Sequence, residues 1–477
     1  MSQYKKLFSH AAIYGIAPQV TKVANFIAIP IVTKHLTATD YGIAGTLTAY
    51  TTSISVLASL GIRTVLVNSY YKSPSQYKWA WRQLYGFLRL WSLLYASLVF
   101  LLMWFAMPPE AENQKWLLLS LNLIPTLFLG NTAVFAATYY QVSQQPKQIV
   151  WRTVLFGLLT ITLNVFFIAY LKLGFLGWSL ATFISGIISN ITYWYALVYK
   201  LKITPIFNFK WRLIKANLKI SLPTIPHFYS GYLLDTSDRV VMDWVSVTTA
   251  DIGKYNAAYS IANMFKTFGN AAGTAIGPLM YEGFQKKDFT TPRNLVFVLQ
   301  GAFLVASFFI SIWLKEVYGL MIRNTELAAM YPLGIILLMS YNYRPMYFGV
   351  MAQFQFTEFT NKTWQITLAA GVLNVVLNFI FIPLYGFEAA AYTTFVALMY
   401  MGFAGYFSHV FRKINRVSYY PLLWLLLIVL CTIVAKYAVL LPIFYKSILS
   451  FVLLILLSSL IYFLKQLKKK VKVGHES

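Results

Sequence analysis

Stretches of about 20 mainly apolar residues, the length a helix needs to cross a hydrocarbon core roughly 30 Å thick, recur along this chain. Fourteen are centred near residues 22, 54, 95, 128, 161, 187, 231, 265, 304, 341, 373, 398, 430 and 453. Each predicts a transmembrane helix, since a helix satisfies its own amides without water. The joining segments are short. The longest, around "KLKITPIFNFKWRLIK", has about 16 residues, which leaves no room for a soluble catalytic domain. The opening "MSQYKKLFSHAAIYGIAPQV" runs straight into a full-length span with no short apolar core and cleavage site. It reads as a retained first helix.

Composition sharpens this picture. Of 477 residues, 58% are hydrophobic and 11% charged, against about 25% charged in a soluble domain. The net charge of +25 falls on no soluble-looking domain, so membrane topology explains it better than nucleic acid. Lys and Arg gather on alternate joining segments, among them Lys5 and Lys6, Lys72 to Arg82, Lys200 to Lys215, Arg412 to Arg416 and the tail "KQLKKKVKV". The intervening segments are sparser and mixed in sign, which puts both termini in the cytoplasm. Cys431 is the single cysteine and excludes an intramolecular disulfide. His10, His35, His227, His409 and His475 are scattered without metal-ligand spacing. There is no phosphate-cradling GxxxxGK[ST] loop and no nucleophile and base pair, so no catalytic residue, metal or cofactor is expected.

The chain repeats itself. "HLTATDYGIAGTLTAY" (35 to 50) resembles "VSVTTADIGKYNAAYS" (245 to 260), pairing Thr37 with Thr248, Asp40 with Asp251 and Gly42 with Gly253 at a spacing of 211. "LNVFFIAYLKLGFLGWSLATF" resembles "LNFIFIPLYGFEAAAYTTF", pairing Asn164 with Asn378, Gly174 with Gly386 and Thr182 with Thr394; Gln141 matches Gln353. The predicted architecture is an all-α membrane protein of two parallel six-helix lobes, residues 1–200 and 201–415, with two further helices and a basic tail in 416–477. Paired bundles of this kind enclose a central site and rock between two access states, although two copies can also pack as a plain scaffold.

The proline-rich "SLPTIPHFY", the "DTSDRVVMDW" that follows it, and "TADIGKYNAAYSIA" resemble the second-lobe opening of the polysaccharide flippases of the MOP superfamily. The similarity extends over nearly the whole chain and is closest to the O-antigen and capsule repeat-unit flippases (Wzx-like), with lipid II flippases and MATE exporters more distant. It implies a MATE-like fold and alternating-access transport, without nucleotide hydrolysis, of undecaprenyl-pyrophosphate-linked oligosaccharide across the bacterial cytoplasmic membrane for surface polysaccharide such as lipopolysaccharide O-antigen. The implied partners are that glycan lipid, membrane lipids and a coupling ion, with no nucleic acid. Two alternatives stand beside it: a MATE-like ion-coupled exporter of small molecules, and a membrane polymerase or glycosyltransferase of the O-antigen pathway. Cationic drugs favour acidic walls, whereas the first span offers Lys22. Polymerases and transferases usually expose a sizeable outer loop, and every outer segment here is short.

Ionisable residues inside a membrane are costly and by default face a cavity or a partner. Lys22, Arg63, Lys266 and Arg344 are the expected cationic lining of a substrate cavity, suited to pyrophosphate. Arg63 and Arg89 lie nearer the cytoplasmic end, where snorkelling competes with that role. Arg344 precedes Pro345, which frees a carbonyl for the guanidinium or a nearby Tyr to meet. Tyr229, Tyr232, Tyr341 and Tyr343 are candidate sugar contacts, with simple packing as the other reading; Trp79, Trp81 and Trp211 read as an interfacial belt. In the seventh span Asp235, Arg239 and Asp243, spaced i, i+4, i+8, are expected on one helix face as a gate or lock near the outer end. Asp238 lies outside that ladder, and Asp235, the deepest acid, is expected to face Lys22. These four are the gate or coupling residues, and carboxylates of this span are the candidate proton carriers.

Overall fold

The computed structural model describes residues 20–415 and 417–473. Among them the chain is helical throughout and no strand forms. It makes two compact units, one reaching to Tyr229 and taking in Met321–Asn324, the other covering Ser230–Leu320 and everything from Thr325 onward. The last two long helices fold with the second unit, and the division falls at 229/230, within a helix.

The first unit contains α1 (Val20–Thr33), α2 (Ala38–Ser59), α3 (Arg63–Lys72), α4 (Tyr77–Phe105), α5 (Lys115–Leu129), α6 (Thr132–Val142), α7 (Pro146–Asn164), α8 (Phe175–Tyr195) and α9 (Trp211–Ser221). Thr37 and Asp40 form a capping box at the start of α2, where the Asp40 amide donates to Thr37 Oγ1 at 3.1 Å and the Thr37 amide to Asp40 Oδ2 at 2.8 Å. The same carboxylate accepts the Phe175 amide at 2.9 Å and so holds the first turn of α8. Gly174, at φ 54°, supplies the tight approach: a Cβ there would collide with Asp40. The repeat partners Thr248, Asp251 and Gly386 adopt matching roles, a threonine cap and a left-handed glycine, in the second unit.

Breaks in this unit are chemically defined. Between α2 and α3, Leu60 and Gly61 both have positive φ, and Gly61 lets Ser221 O and Thr224 Oγ1 come so close that a Cβ would stand 2.8 and 2.5 Å from them. Between α5 and α6 the axis bends by 53°. There Arg89 donates to the Phe128 carbonyl at 2.5 Å and Asn131 Nδ2 to Ala58 O at 2.9 Å, so Arg89 caps a broken helix instead of snorkelling. The basic joining segment before α9 is not loose either. It straps α4 through Arg82 Nε to Thr204 O (3.1 Å), the Ile206 amide to Arg82 O (3.0 Å) and the Lys210 amide to Gln83 Oε1 (2.8 Å). Trp81, expected in an interfacial belt, is fully buried beneath this end and donates to Ser69 Oγ at 2.8 Å.

The second unit starts within α10 (Ile225–Asp235) and continues with α11 (Ser237–Trp244), α12 (Thr249–Gln285), α13 (Thr290–Ile312), α14 (Leu314–Met321), α15 (Thr325–Ala328), α16 (Tyr331–Ser340), α17 (Arg344–Phe356), α18 (Thr360–Tyr385), α19 (Ala389–Phe407), α20 (His409–Ile414), α21 (Pro421–Ala438) and α22 (Ile443–Val473). Its core gathers Tyr255, Met280, Leu338, Met346, Phe354 and Leu398 around α12, α16 and α19. α21 and α22 both pack along α13. Lys446 of α22, 1% exposed, donates to Glu316 Oε1 at 2.6 Å, and Trp313 Nε1 donates to Ser450 Oγ at 2.8 Å.

A helix, or a helix broken once, stands at each of the fourteen predicted centres. Seven are long and apolar enough to cross a membrane unaided, and the bent pair α5 and α6 makes eight. The seventh predicted span is divided at Thr236 and the tenth at the 3₁₀ turn Tyr341–Tyr343, so neither forms one long helix.

Two stability outcomes follow from this packing. Gly86→Ala should destabilise, against its usual gain of up to about 1 kcal/mol within a helix, because a Cβ there runs into the Ile206 carbonyl of the strap; a raised unfolding temperature in detergent would refute the close approach. Glu316→Gln leaves the Lys446 charge buried, at a cost of about 3–5 kcal/mol. Thermal unfolding should show most of that loss recovered in Glu316→Gln/Lys446→Met, where no charge is left to desolvate.

Candidate functional site

The four ionisable residues of segment 221–244 are not on one continuous helix. α10 ends at Asp235 and α11 begins at Ser237, with Thr236 between them at φ −141° and ψ −20°. The expected i, i+4 register between Asp235 and Arg239 is therefore broken at its first step. Arg239 reaches the backbone of Asp235, donating from Nη1 to its carbonyl at 2.9 Å, and from Nη2 to Asn256 Oδ1 at 3.2 Å. Its guanidinium lies over the rings of Tyr259 (4.5 Å) and Tyr255 (4.9 Å). The guanidinium thus holds an open helix end, a place where a carbonyl has lost its intrahelical donor. Asp243 is half-buried on α11.

Asp238, predicted beside the outer interface and outside the ladder, is the most enclosed acid of the cluster at 0% exposure. Its Oδ2 accepts Tyr255 Oη at 2.6 Å and Thr394 Oγ1 at 3.2 Å, and its Oδ1 accepts Asn378 Nδ2 at 2.8 Å. The surrounding donors and acceptors orient the Asn374 amide with its nitrogen 2.7 Å from the same Oδ1. Arg239 stands 3.9 Å from Oδ2. Asn378 is itself fixed, because the Thr393 hydroxyl donates to its amide oxygen. A buried carboxylate is tolerated only when hydrogen-bonded and paired, and this one has four donors and a guanidinium.

Asp235 forms its ion pair with Lys266 of α12. Lys266, rather than Lys22, takes that role because Tyr255, Tyr259, Ala262, Lys266 and Asn270 recur every three or four residues and share one α12 face against α10 and α11. One turn beyond Lys266 on that face, Arg344 packs against Gly269, where a Cβ would stand 2.6 Å from Arg344 Cδ. Arg344 is 5% exposed, donates from Nη1 to Asn270 Oδ1 at 2.5 Å, and lies 5.5 and 5.4 Å from the rings of Tyr341 and Tyr343. Its Nε is buried with no hydrogen-bond partner, and among the described residues it meets no carboxylate. The open carbonyl beside Pro345, that of Asn342, is met by Gln300 Nε2 at 2.7 Å and not by the guanidinium.

The remaining predicted residues divide between the units. Lys22 and Arg63 belong to the first unit and Lys266 and Arg344 to the second. Lys22 is half-buried on α1. Arg63 is exposed and donates to Gln141 Oε1 at 2.6 Å. Of the tyrosines, Tyr232, Tyr341 and Tyr343 are buried at 8%, 1% and 4% exposure, and Tyr341 Oη donates to Tyr259 Oη at 3.1 Å. All three are packed among neighbouring helices in this conformation, as Arg344 is. Tyr229 is half-buried. Sequence reasoning missed Tyr255, Tyr259, Asn256, Asn270, Asn374 and Thr393. Their signal was the helical spacing along 255–270, and the repeat had already marked Asn378 and Thr394. Among the described residues no group of His, Cys, Asp and Glu is arranged to hold a metal ion.

Comparison with known proteins agrees with this architecture. The lipid II flippase MurJ, in an inward closed conformation, superimposes with a TM-score of 0.65 at 13% identity, over 91% of this chain and 99% of that one. An inward-facing multidrug resistance MATE transporter of the MOP superfamily gives 0.59 at 15% identity, over 82% and 93%. A MOP superfamily transporter from Pyrococcus furiosus gives 0.52 at 15% identity, over 84% and 94%. These similarities establish the fold. Among curated protein sequences none matches. The profile of the polysaccharide biosynthesis proteins matches residues 7–284, more than half of the chain. With the MATE-like fold around it, that match makes this chain a member of the polysaccharide biosynthesis protein family.

Proposed function

We propose that this protein is a flippase that moves undecaprenyl-pyrophosphate-linked oligosaccharide across the cytoplasmic membrane by alternating access, with all fourteen predicted spans crossing and both termini in the cytoplasm. The observation that carries the reading is Arg344. Asp238, Arg239, Asp235 and Lys266 form a chain in which acids and cations balance, whereas Arg344 is buried without an acid and with Nε unbonded. A desolvated guanidinium without a counter-ion is costly, so the arrangement favours an anionic ligand. Lys266 one turn away is already balanced by Asp235, so the fork of Arg344 is the cation left for a phosphate group. Membership of the polysaccharide biosynthesis family and the likeness in fold to a lipid II flippase support this reading. A cation exporter fits less well, because Asp238 of α11 and Asp235 of α10, the acids packed against this α12 face, are already paired with Arg239 and Lys266. For a polymerase or glycosyltransferase, the short outer segments leave no space for a catalytic loop.

Asp238 is the candidate coupling carboxylate. It is wholly enclosed, joined to the helix break through Arg239, and bonded to α12, α18 and α19 at once. A change in its charge is felt on three helices together, which is what coupling an ion gradient to rearrangement requires.

In proteoliposomes carrying lipid-linked oligosaccharide, Arg344→Ala should reduce translocation by roughly tenfold or more, with Arg344→Lys restoring only part because the fork is lost. Unchanged transport in Arg344→Ala at wild-type protein levels would remove the anion site, and loss of drug resistance alone in a deletion strain would favour the exporter. Asp238→Asn should stop gradient-driven accumulation while exchange across equal gradients continues. Accumulation by that variant equal to wild type would exclude Asp238 as the coupling group.

A further inference from the structure

Tyr232, Tyr341 and Tyr343 are enclosed by protein, so the glycan of the proposed substrate needs another surface. The first unit has a recess of about 350 Å³ between α2, α5 and α8, edged by Thr48, Thr51, Asn122, Trp178, Thr182 and Asn190. No charged residue lines it. Grooves elsewhere are of another kind: one between α1 and α7 is walled by Ile27, Ile31, Ile161, Val165 and Phe166, as suits a surface turned to lipid tails.

The repeat shows which face of the unit this is. At the spacing of 211 that relates Thr37 to Thr248, Ala44, Thr48 and Thr51 of α2 correspond to Tyr255, Tyr259 and Ala262 of α12, and Thr182 of α8 has already been matched to Thr394 of α19. By the same spacing Asp238 and Arg239 correspond to Ile27 and Ala28, which line the apolar groove beside α1, so the recess is the counterpart of the α12 and α19 face on which Tyr255, Tyr259 and Thr394 stand. There Tyr255 and Tyr259 fill the space, whereas Ala44 and Thr48 leave it open. The matching face is closed by tyrosines in one copy and hollow in the other.

We infer that this recess is a binding subsite for neutral sugar residues of the transported glycan. Asn122 Nδ2 donates to Leu118 O and Asn190 Nδ2 to Gly186 O, each at 2.9 Å, so each amide is held in orientation while keeping its carbonyl oxygen and one N–H for a ligand. One acceptor beside one donor matches a pair of adjacent sugar hydroxyls. Thr51 Oγ1 donates to Leu47 O at 2.8 Å and retains its lone pairs as acceptors. Trp178, braced edge-on by Tyr41 at 4.9 Å between ring centroids, provides an aromatic wall for the apolar face of a pyranose. The absence of charge in the lining leaves the diphosphate to Arg344. A volume at the small end of ligand pockets suits a short stretch of glycan and not a whole repeat unit.

The inference rests on the flippase reading, and two lipids separate them. The protein in nanodiscs is titrated with undecaprenyl diphosphate bearing no sugar, and with lipid-linked oligosaccharide extracted from a strain lacking the transporter. Wild type should bind the glycan-bearing lipid about tenfold more tightly. Gly186→Leu, at a lining position where an added Cβ meets nothing within 4 Å, sets an apolar side chain into the recess. It should erase that preference and leave binding of bare undecaprenyl diphosphate unchanged, as should Asn122→Leu/Asn190→Leu. A preference retained in Gly186→Leu, or absent from wild type, overturns the sugar subsite while the flippase reading stands. Wild type that binds neither lipid overturns both.

Discussion

The enclosed carboxylate of Asp238 is the constraint around which the second unit is arranged. An ionised acid without water is tolerated only if every lone pair has a donor and a cation stands near. The donors come from Tyr255 on α12, Asn374 and Asn378 on α18 and Thr394 on α19. Three helices are thereby brought to one point, and Thr393 fixes the orientation of Asn378 behind them. The break at Thr236 belongs to the same solution, since Arg239 next to Asp238 caps the carbonyl of Asp235 that the interruption exposes. Breaking the helix also turns the Asp235 carboxylate to Lys266. Asp238 and Arg239 thus serve one another and α12, and Asp235 meets Lys266 of the same helix.

The two copies of the repeat share their caps and differ on the face that follows them. Both retain the threonine cap and the left-handed glycine before the sixth helix of each copy, because those positions set backbone geometry. The face that follows the cap has diverged. In the second unit it carries two tyrosines under a guanidinium; in the first it carries alanine and threonines around a recess. A diphosphate and a neutral glycan ask for opposite chemistries, cationic and desolvated in one case, uncharged and hydroxyl-rich in the other. Two copies of one fold can supply both without compromise at a single site.

Much of this was legible in the residues. Apolar run length placed a helix at each predicted centre, and among the described residues seven, or eight with the bent pair, are long and apolar enough to cross a membrane. The repeat marked Thr37, Asp40, Gly174, Asn378 and Thr394, positions that prove to be caps, a left-handed turn and ligands of Asp238. The enclosure of Asp238 was not legible, because position along a helix does not report which neighbouring helices pack around a side chain. Helical spacing misjudged the ladder of Asp235 and Arg239, because it assumes an unbroken axis. Aromatic content pointed to Tyr341 and Tyr343 as ligand contacts, where packing against Arg344 and Tyr259 encloses them.

The sequence by itself determined a polytopic helical membrane protein with an internal repeat, basic charge gathered on alternate joining segments and a small set of ionisable groups that by default face protein. These follow from local and one-dimensional physics: run length, charge asymmetry and self-similarity. Only the tertiary structure decided which charges meet. Asp235 with Lys266, Asp238 with Asn378 and Lys446 with Glu316 are separated by 31, 140 and 130 residues. Such pairings depend on where helices break and cross, and no spacing within a single helix encodes that.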